Sequence, residues 1–175
     1  MINKAKYKGR TTVIIIVVLS FFISVILNVN SNSDFTPRFT EPNSSNKYYY
    51  SNLNLFYKYG YGMPNCTAYA YGRVYEILKT EPDLCPFNAR EWFDYNKKNA
   101  FYPYGNQPEI GALACFDNEN GGHIAVVEKI EEGKITFSNS GYGYKNFYLT
   151  YADINDKNVG NSDWEFQGYI YILSL

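Results

Sequence analysis

A chain of 175 residues provides enough length for one globular domain with a terminal segment and leaves little room for a second large domain. Its 16 Lys and Arg residues nearly balance its 17 Asp and Glu residues, so the net charge of -1 gives no reason to expect nucleic acid as a partner. Aromatic residues make up 19% of the chain, an excess that reflects either a surface groove lined with aromatic rings or a compositional bias of the genome.

The N-terminal residues combine a basic stretch with an apolar run from Val13 to Leu27. Residues 1–29 are therefore predicted to be a signal anchor or a signal peptide, because the run is intermediate in length between a signal-peptide core and a spanning helix. The residues after the run lack the small-x-small pattern of a cleavage site, which favours an anchor. Basic residues on the N-terminal side predict an extracytoplasmic protein, anchored in the cytoplasmic membrane through residues 11–29, or secreted if the signal is cleaved.

The rest of the chain divides into a polar segment and a folded domain. Residues 30–51 are rich in Asn, Ser and Pro and show no periodicity, which is typical of an extracellular spacer, so the domain is predicted to span residues 52–175. One helix is expected from near Cys66 to before Pro82, and a second over 88–98. Helices followed by strands predict an α+β domain with an antiparallel sheet. Five later segments have strand patterns: 112–116, 123–130, 134–138, 146–151 and 167–173.

The candidate catalytic residues follow from a count of imidazoles and thiols. The chain contains one histidine, so a mechanism that needs imidazole must use His123. Cys66 stands at the predicted start of a helix, where free backbone N–H groups and the helix dipole lower a thiol pKa. Cys85 lies in a loop and Cys115 in an apolar strand, and a single bridge between them is an open alternative. Cys66 and His123 are therefore the predicted nucleophile and base of a cysteine hydrolase.

The predicted strand register supplies a third candidate. A three-residue hairpin loop at 131–133 places Ala125 opposite Asn139, and Asn139 and His123 then share one face of the sheet. A two-residue turn shifts this register by one residue and moves Asn139 to the other face. Asn139 is alternatively a turn residue before Gly141.

Five ordered motifs also resemble those of a known family. They are NCTAYAYGR at 65–73, Asn88-Ala89 with Trp92, Gly111-Ala112, GHIAVVE at 122–128 and SNS at 138–140. From about residue 55 to 173, their order and spacing are similar to a CHAP domain, the family of cysteine, histidine-dependent amidohydrolases and peptidases. The resemblance implies a papain-like fold with N-terminal helices packed on the sheet. It also implies that Cys66 heads the first helix, that His123 starts a strand and that Asn139 orients His123.

The resemblance further implies a peptidoglycan hydrolase with peptidoglycan as its partner. The enzyme would be either an N-acetylmuramoyl-L-alanine amidase or an endopeptidase acting on the peptide cross-links. Two departures from the family concern single residues. Ala68 stands where members commonly carry Trp, which affects a piece of groove wall, and other members carry Glu where Asn139 falls.

The remaining predictions concern residues beside the pair and the alternatives to catalysis. Asn65 is a candidate second oxyanion donor, next to the backbone N–H of Cys66. Trp92 and Tyr142 are candidate groove residues, with a core position as the alternative for Trp92. The single His and the scattered carboxylates predict no metal site, and no cofactor is expected. A catalytically silent envelope-binding module and an acyl transferase are the alternative functions.

Overall fold

The computed structural model describes residues 35–118, 121–160 and 163–174. The predicted signal anchor at 1–29, including the membrane segment at 11–29, lies outside these residues. Within the described ranges, no helix has the length and apolar character that crossing a membrane requires.

The helices precede most of the strands, and asparagine residues begin three of them. Asn46, Asn54 and Asn65 each accept a hydrogen bond from a backbone N–H of the first turn, which is how an N-cap residue satisfies donors that have no partner within the helix. The helices are α1 (Lys47–Tyr50), α2 (Leu55–Lys58), α3 (Cys66–Leu78), a 3₁₀ helix (Ala89–Glu91) and α4 (Trp92–Asn99). The sequence did not predict α1 and α2, because four residues are too few to show a helical period.

The strands form one antiparallel sheet in the order β1-β6-β2-β3-β4-β5. They are β1 (Tyr104–Gly105), β2 (Leu113–Asp117), β3 (His123–Glu131), β4 (Lys134–Gly141), β5 (Lys145–Asp153) and β6 (Glu165–Ile170). The predicted α+β class with an antiparallel sheet is therefore confirmed. Each of the five predicted strands overlaps one of β2 to β6, and the two-residue strand β1 was missed.

The sheet separates two layers of buried side chains because alternate residues of each strand point to opposite faces. Ile124 and Val126 of β3 belong to the layer that also contains α3, whereas Ala125 and Val127 belong to the layer on the other face. Gly72 allows α1 to approach α3 closely, since a Cβ there would lie 2.7 Å from the carbonyl oxygen of Tyr48. The helix that begins at Cys66 is thus held between α1 and the sheet.

The hairpin between β3 and β4 differs from its prediction at the turn. Glu131 pairs directly with Lys134, so the turn contains only Glu132 and Gly133. Both have positive φ, 50° and 75°, which is the backbone conformation of a two-residue type I′ turn. The predicted three-residue loop is therefore wrong.

A β-bulge in β3 restores the register that the three-residue loop would have produced. The register shifts by one residue between Val127 and Lys129, so that Val127 pairs with Phe137 and Val126 with Ser138. This is the register on which the prediction for Asn139 depended. The two-residue turn shifts the register by one residue, and the bulge shifts it back. Asn139 therefore remains on the side of the sheet that carries His123.

The segment predicted to be a spacer packs against the domain where the structure describes it. Tyr49 of α1 is fully buried and its hydroxyl donates a hydrogen bond to Glu76. The backbone N–H of Arg38 donates to the carboxylate of Glu128 at 2.8 Å. Residues 35–51 are therefore in contact with the domain. This contact could not be predicted from the sequence, because it comes from isolated residues without a repeating pattern.

Candidate active site

The thiol of Cys66 lies at the start of α3, against strand β3. Asn65 caps this 13-residue helix, and Cys66 is only 9% exposed. Backbone N–H groups, including that of Ile124, face its sulfur and favour the thiolate by lowering the pKa of the thiol. Since Ile124 follows His123 in the chain, the structure brings the thiol next to the strand that begins with the imidazole.

Burial controls the protonation of this thiol. Desolvation raises the pKa of Cys66, and the N–H groups of Ile124, Thr67 and Cys66 itself lower it without reversing the shift. The predicted lowering of the thiol pKa is therefore wrong for the protein without substrate, because removal from water outweighs the helix start. Cys66 is thus a neutral thiol at neutral pH.

The other two cysteines are also free and buried. Burial raises the pKa of Cys85 to about 11 and that of Cys115 well above its ordinary value. No backbone N–H of the strand that carries His123 lowers the pKa of either thiol, which sets Cys66 apart.

His123 and Asn139 are joined directly. The Nε2 atom of His123 lies 2.9 Å from Oδ1 of Asn139. The amide nitrogen of Asn139 donates to Oγ1 of Thr150 at 2.9 Å and to the carbonyl oxygen of Phe137 at 3.4 Å. These donations turn the amide oxygen towards the ring, so Nε2 carries the proton and Nδ1 is left with a free lone pair. The ring is therefore in the tautomer that accepts a proton at Nδ1.

Aromatic rings enclose this imidazole. Trp164 meets the ring of His123 edge to face with centroids 5.0 Å apart, and Phe116 lies at 6.3 Å. Burial lowers the pKa of His123, and the hydrogen bond to Asn139 offsets this only in part. At neutral pH the ring is therefore neutral and competent as a base.

A pocket of about 160 Å³ opens beside the imidazole. His123, Asn139, Thr150, Trp164 and Tyr148 are among the residues that line it. Burial raises the pKa of Tyr148. Negative charge on Cys66 would raise this pKa further, because the phenol and the thiol are neighbours. His123 therefore lines the pocket directly, and the thiol of Cys66 is represented there only by its neighbour Tyr148.

Ser140 fixes the loop before Cys66 to the end of the β4–β5 hairpin. Its hydroxyl accepts a hydrogen bond from the backbone N–H of Asn65 at 3.0 Å and donates to the carbonyl oxygen of Lys145 at 3.1 Å. A second link runs from the N–H of Gly143 to the carbonyl oxygen of Pro64 at 3.4 Å. The hairpin thus holds the start of α3 in place.

Asn65, the predicted oxyanion donor, caps the helix that begins at Cys66. The side-chain oxygen of Asn65 accepts from the N–H and the hydroxyl of Thr67, and its amide nitrogen donates to the carbonyl oxygen of Tyr61 at 3.2 Å. Asn65 is therefore the cap of α3, and its part in oxyanion binding stays a prediction.

The two predicted groove residues have different environments. Trp92 is 1% exposed, stacks on Phe56 and donates from its indole nitrogen to the carbonyl oxygen of Phe87 at 3.3 Å. Trp92 is therefore part of the core, and its assignment to a groove is wrong because helix α4 turns its large ring inward. Tyr142 is 80% exposed at the β4–β5 turn, close to the loop before Cys66, and is available for contact with a ligand.

Sequence reasoning missed several residues that shape the site. Thr150 orients the amide of Asn139, Trp164 packs on His123, and Tyr148 is a neighbour of Cys66. Thr150 and Tyr148 lie on β5, whose pairing with β4 was not predicted. Trp164 had no motif to mark it in a sequence that contains 33 aromatic residues.

No group of His, Cys, Asp and Glu side chains in the described part of the chain has the arrangement of a metal site.

The fold is that of an α+β domain with a candidate thiol and imidazole beside one strand of its sheet. Residues 56–141 match the model of the CHAP domain family, and the chain contains a CHAP domain. CHAP domains are typically amidohydrolases or peptidases that depend on cysteine and histidine, so the match supports a peptidoglycan-related amidase or peptidase activity in general. No curated protein matches the chain.

Proposed function

We propose that this protein is a peptidoglycan hydrolase in which Cys66 is the nucleophile, His123 the general base and Asn139 the residue that orients His123. One observation carries the proposal: the only histidine of the chain is hydrogen-bonded through Nε2 to Asn139, while the backbone N–H of the next residue, Ile124, lowers the pKa of the Cys66 thiol and so faces its sulfur. The substrate class rests on the family match.

The reaction begins from a neutral thiol and a neutral imidazole. As the sulfur of Cys66 attacks the carbonyl carbon of an amide, its proton passes to Nδ1 of His123. The imidazolium then gives this proton to the departing amine, and an acyl-enzyme thioester remains. Water, deprotonated by the same imidazole, attacks the thioester and releases the acid and the free thiol.

The raised thiol pKa and the lowered imidazole pKa agree with proton transfer during attack instead of a preformed ion pair. The oxyanion that forms at the carbonyl would receive hydrogen bonds from the backbone N–H of Cys66 and from the second amide hydrogen of Asn65. The arrangement is papain-like, with the nucleophile at a helix start and the base on a strand of the sheet.

The proposed site of action is outside the cytoplasmic membrane. The proposal rests on the sequence of residues 1–29, with residues 11–29 as the membrane segment of an anchor. An anchored enzyme would act on peptidoglycan near the membrane, and a cleaved signal would release it.

The decisive experiment replaces the nucleophile. The Cys66→Ala variant is expected to lose lysis of purified cell walls while its circular dichroism spectrum is unchanged. The Cys85→Ala variant is the matched control, because it also removes a buried thiol but not the one beside Ile124. Full activity of Cys66→Ala would refute the proposal.

Mass spectrometry of the digested walls distinguishes the two bonds. Amidase activity releases stem peptides with a free N-terminal alanine from intact glycan, whereas endopeptidase activity leaves glycan-linked peptides with a new terminus in the cross-link. A product joined to an added amine would instead indicate acyl transfer.

A catalytically silent envelope-binding module is the second candidate, and the raised thiol pKa is the observation that favours it. A silent module would bind walls without digesting them, and its Cys66 would react with iodoacetamide no faster at neutral pH than an ordinary buried thiol. Reaction of Cys66 well ahead of Cys85, measured by peptide mass spectrometry, would exclude this candidate.

A further inference from the structure

The bulge in strand β3 contains a fully buried carboxylate. Glu128 is the extra residue between Val127 and Lys129, and its side chain is 0% exposed. A carboxylate out of water needs charge and hydrogen bonds to compensate for lost hydration. Glu128 has four such bonds, from three separate parts of the chain.

The first partner is the helix of the candidate nucleophile. Arg73 of α3 donates from Nε to one oxygen of Glu128 at 2.9 Å and from Nη2 to the other at 2.8 Å. This two-point contact fixes both the distance and the relative orientation of the groups. It therefore ties helix α3, which begins at Cys66, to strand β3, which begins at His123.

The second partner is strand β4. The hydroxyl of Ser138 donates to the carboxylate of Glu128 at 2.7 Å. Ser138 directly precedes Asn139, so this bond holds the part of β4 that carries the orienting amide. Glu128 thus contacts all three elements on which the proposed catalytic residues lie.

The third partner is the N-terminal segment outside the CHAP match. The backbone N–H of Arg38 donates to Glu128 at 2.8 Å, and the carbonyl oxygen of Thr36 accepts from Nη2 of Arg73 at 2.6 Å. These two backbone groups complete the hydrogen bonds of the buried pair. Residues 36–38 therefore close the outer side of the ion pair.

We propose that Glu128 is a positioning residue for catalysis, which sets the placement of Cys66 relative to His123 and Asn139 by joining α3 to β3 and β4. The proposal rests on the proposed function of these three residues. The bulge at Glu128 also keeps Asn139 on the face of His123, because it restores the register in which Val126 pairs with Ser138.

Glu76 offers a matched control for a change at Glu128. It lies on α3 and pairs with Arg73 at 3.0 Å and with Arg38, so it belongs to the same charge network. Burial raises the pKa of Glu76, but the hydrogen bond and charge of Arg38 lower it by more, so it is ionised at neutral pH. Its hydrogen-bond partners Arg38, Asn46, Tyr49 and Arg73 lie on the helices and on the N-terminal segment.

The test compares Glu128→Gln with Glu76→Gln by two readouts at a temperature where both are folded. One readout is kcat for wall digestion, and the other is the rate at which iodoacetamide alkylates Cys66 at pH 7, followed by peptide mass spectrometry. We expect Glu128→Gln to lower both by about tenfold, since small displacements of reacting groups are costly. Glu76→Gln should leave both within about twofold of wild type, whatever its melting temperature.

Ser138→Ala keeps the experiment decisive if Glu128→Gln does not fold. This change removes one hydroxyl and leaves the contact of Glu128 with Arg73 intact. It should lower kcat and alkylation by about threefold, in line with one hydrogen bond. Wild-type values in folded Glu128→Gln or in Ser138→Ala, or equal losses in Glu76→Gln, would overturn the proposal.

The alkylation readout separates the two hypotheses. If the wild-type protein does not digest walls, the proposed function fails, but the alkylation rates still show whether Glu128 controls the thiol. If walls are digested and the alkylation rates of the variants do not differ, only the positioning role fails.

Discussion

Thr150 provides a sharp test of the site, because its hydroxyl is the acceptor that orients the amide of Asn139. In the Thr150→Val variant a methyl group replaces the hydroxyl that accepts from Nδ2 of Asn139 at 2.9 Å. The remaining acceptor, the carbonyl oxygen of Phe137 at 3.4 Å, is distant. The amide is then free to turn and to present its NH₂ group to Nε2 of His123. Nε2 must in that case accept a hydrogen bond, so the ring proton moves to Nδ1 and the base is lost.

The size of the effect follows from one neutral hydrogen bond. Such a bond contributes about 1 kcal/mol net, which corresponds to about a fivefold change in the equilibrium constant between the two amide orientations. We expect kcat/KM to fall by up to about fivefold in Thr150→Val, since the population of the active orientation falls by at most this factor. The melting temperature should change little, because Thr150 is exposed on β5.

The assay uses the fact that the chain contains one histidine. In untagged protein labelled with ¹⁵N-histidine, all ring signals come from His123 and report its tautomer directly. Wild type should show the proton on Nε2, and Thr150→Val should show an increased share of the Nδ1–H form. Thr150→Ser, which keeps the hydroxyl, is the control and should resemble wild type. A wild-type tautomer and rate in Thr150→Val would refute this account of the site.

Three other predictions concern pH, substrate binding and stability. Because neutral His123 is the active form and burial lowers its pKa below 6.5, activity should persist as pH falls below 6.5; an acidic limb of kcat/KM at or above pH 6.5 would contradict this. Tyr142→Ala should raise KM for wall fragments with little change in kcat, whereas Tyr104→Ala, an exposed tyrosine on the opposite edge strand of the sheet, should change neither. Trp92→Ala should lower the free energy of unfolding by about 3–5 kcal/mol in urea titrations, and a loss below about 1 kcal/mol would argue against a core position.

The register of Asn139 shows how a sequence-based prediction reached the right face for a wrong reason. Loop length was inferred from Gly133 alone, and the two-residue turn would by itself have moved Asn139 to the helix side. The bulge at Glu128 restored the register. The bulge leaves no local mark in the sequence, and the partner of its buried carboxylate, Arg73, lies far away in the chain.

The prediction of a lowered pKa for the Cys66 thiol was wrong for a similar reason. The sequence located Cys66 at a helix start, and this position was correct. It gave no information on how deeply the sulfur is buried, and burial decides the direction of the shift. Trp92 illustrates the same limit, because a helical aromatic residue faces the core or a groove depending on what packs against the helix.

The sequence by itself determined the class of the fold and the identity of the candidate pair. Hydrophobic periodicity, an N-cap before Cys66 and the single histidine are local or compositional facts, and they need no knowledge of neighbours in space. Only the tertiary structure decided the role of Thr150, the burial of Glu128 and the packing of residues 35–51. Each of these depends on contacts between segments distant in the chain, whose free energy is set by burial and by charge pairing inside the folded domain.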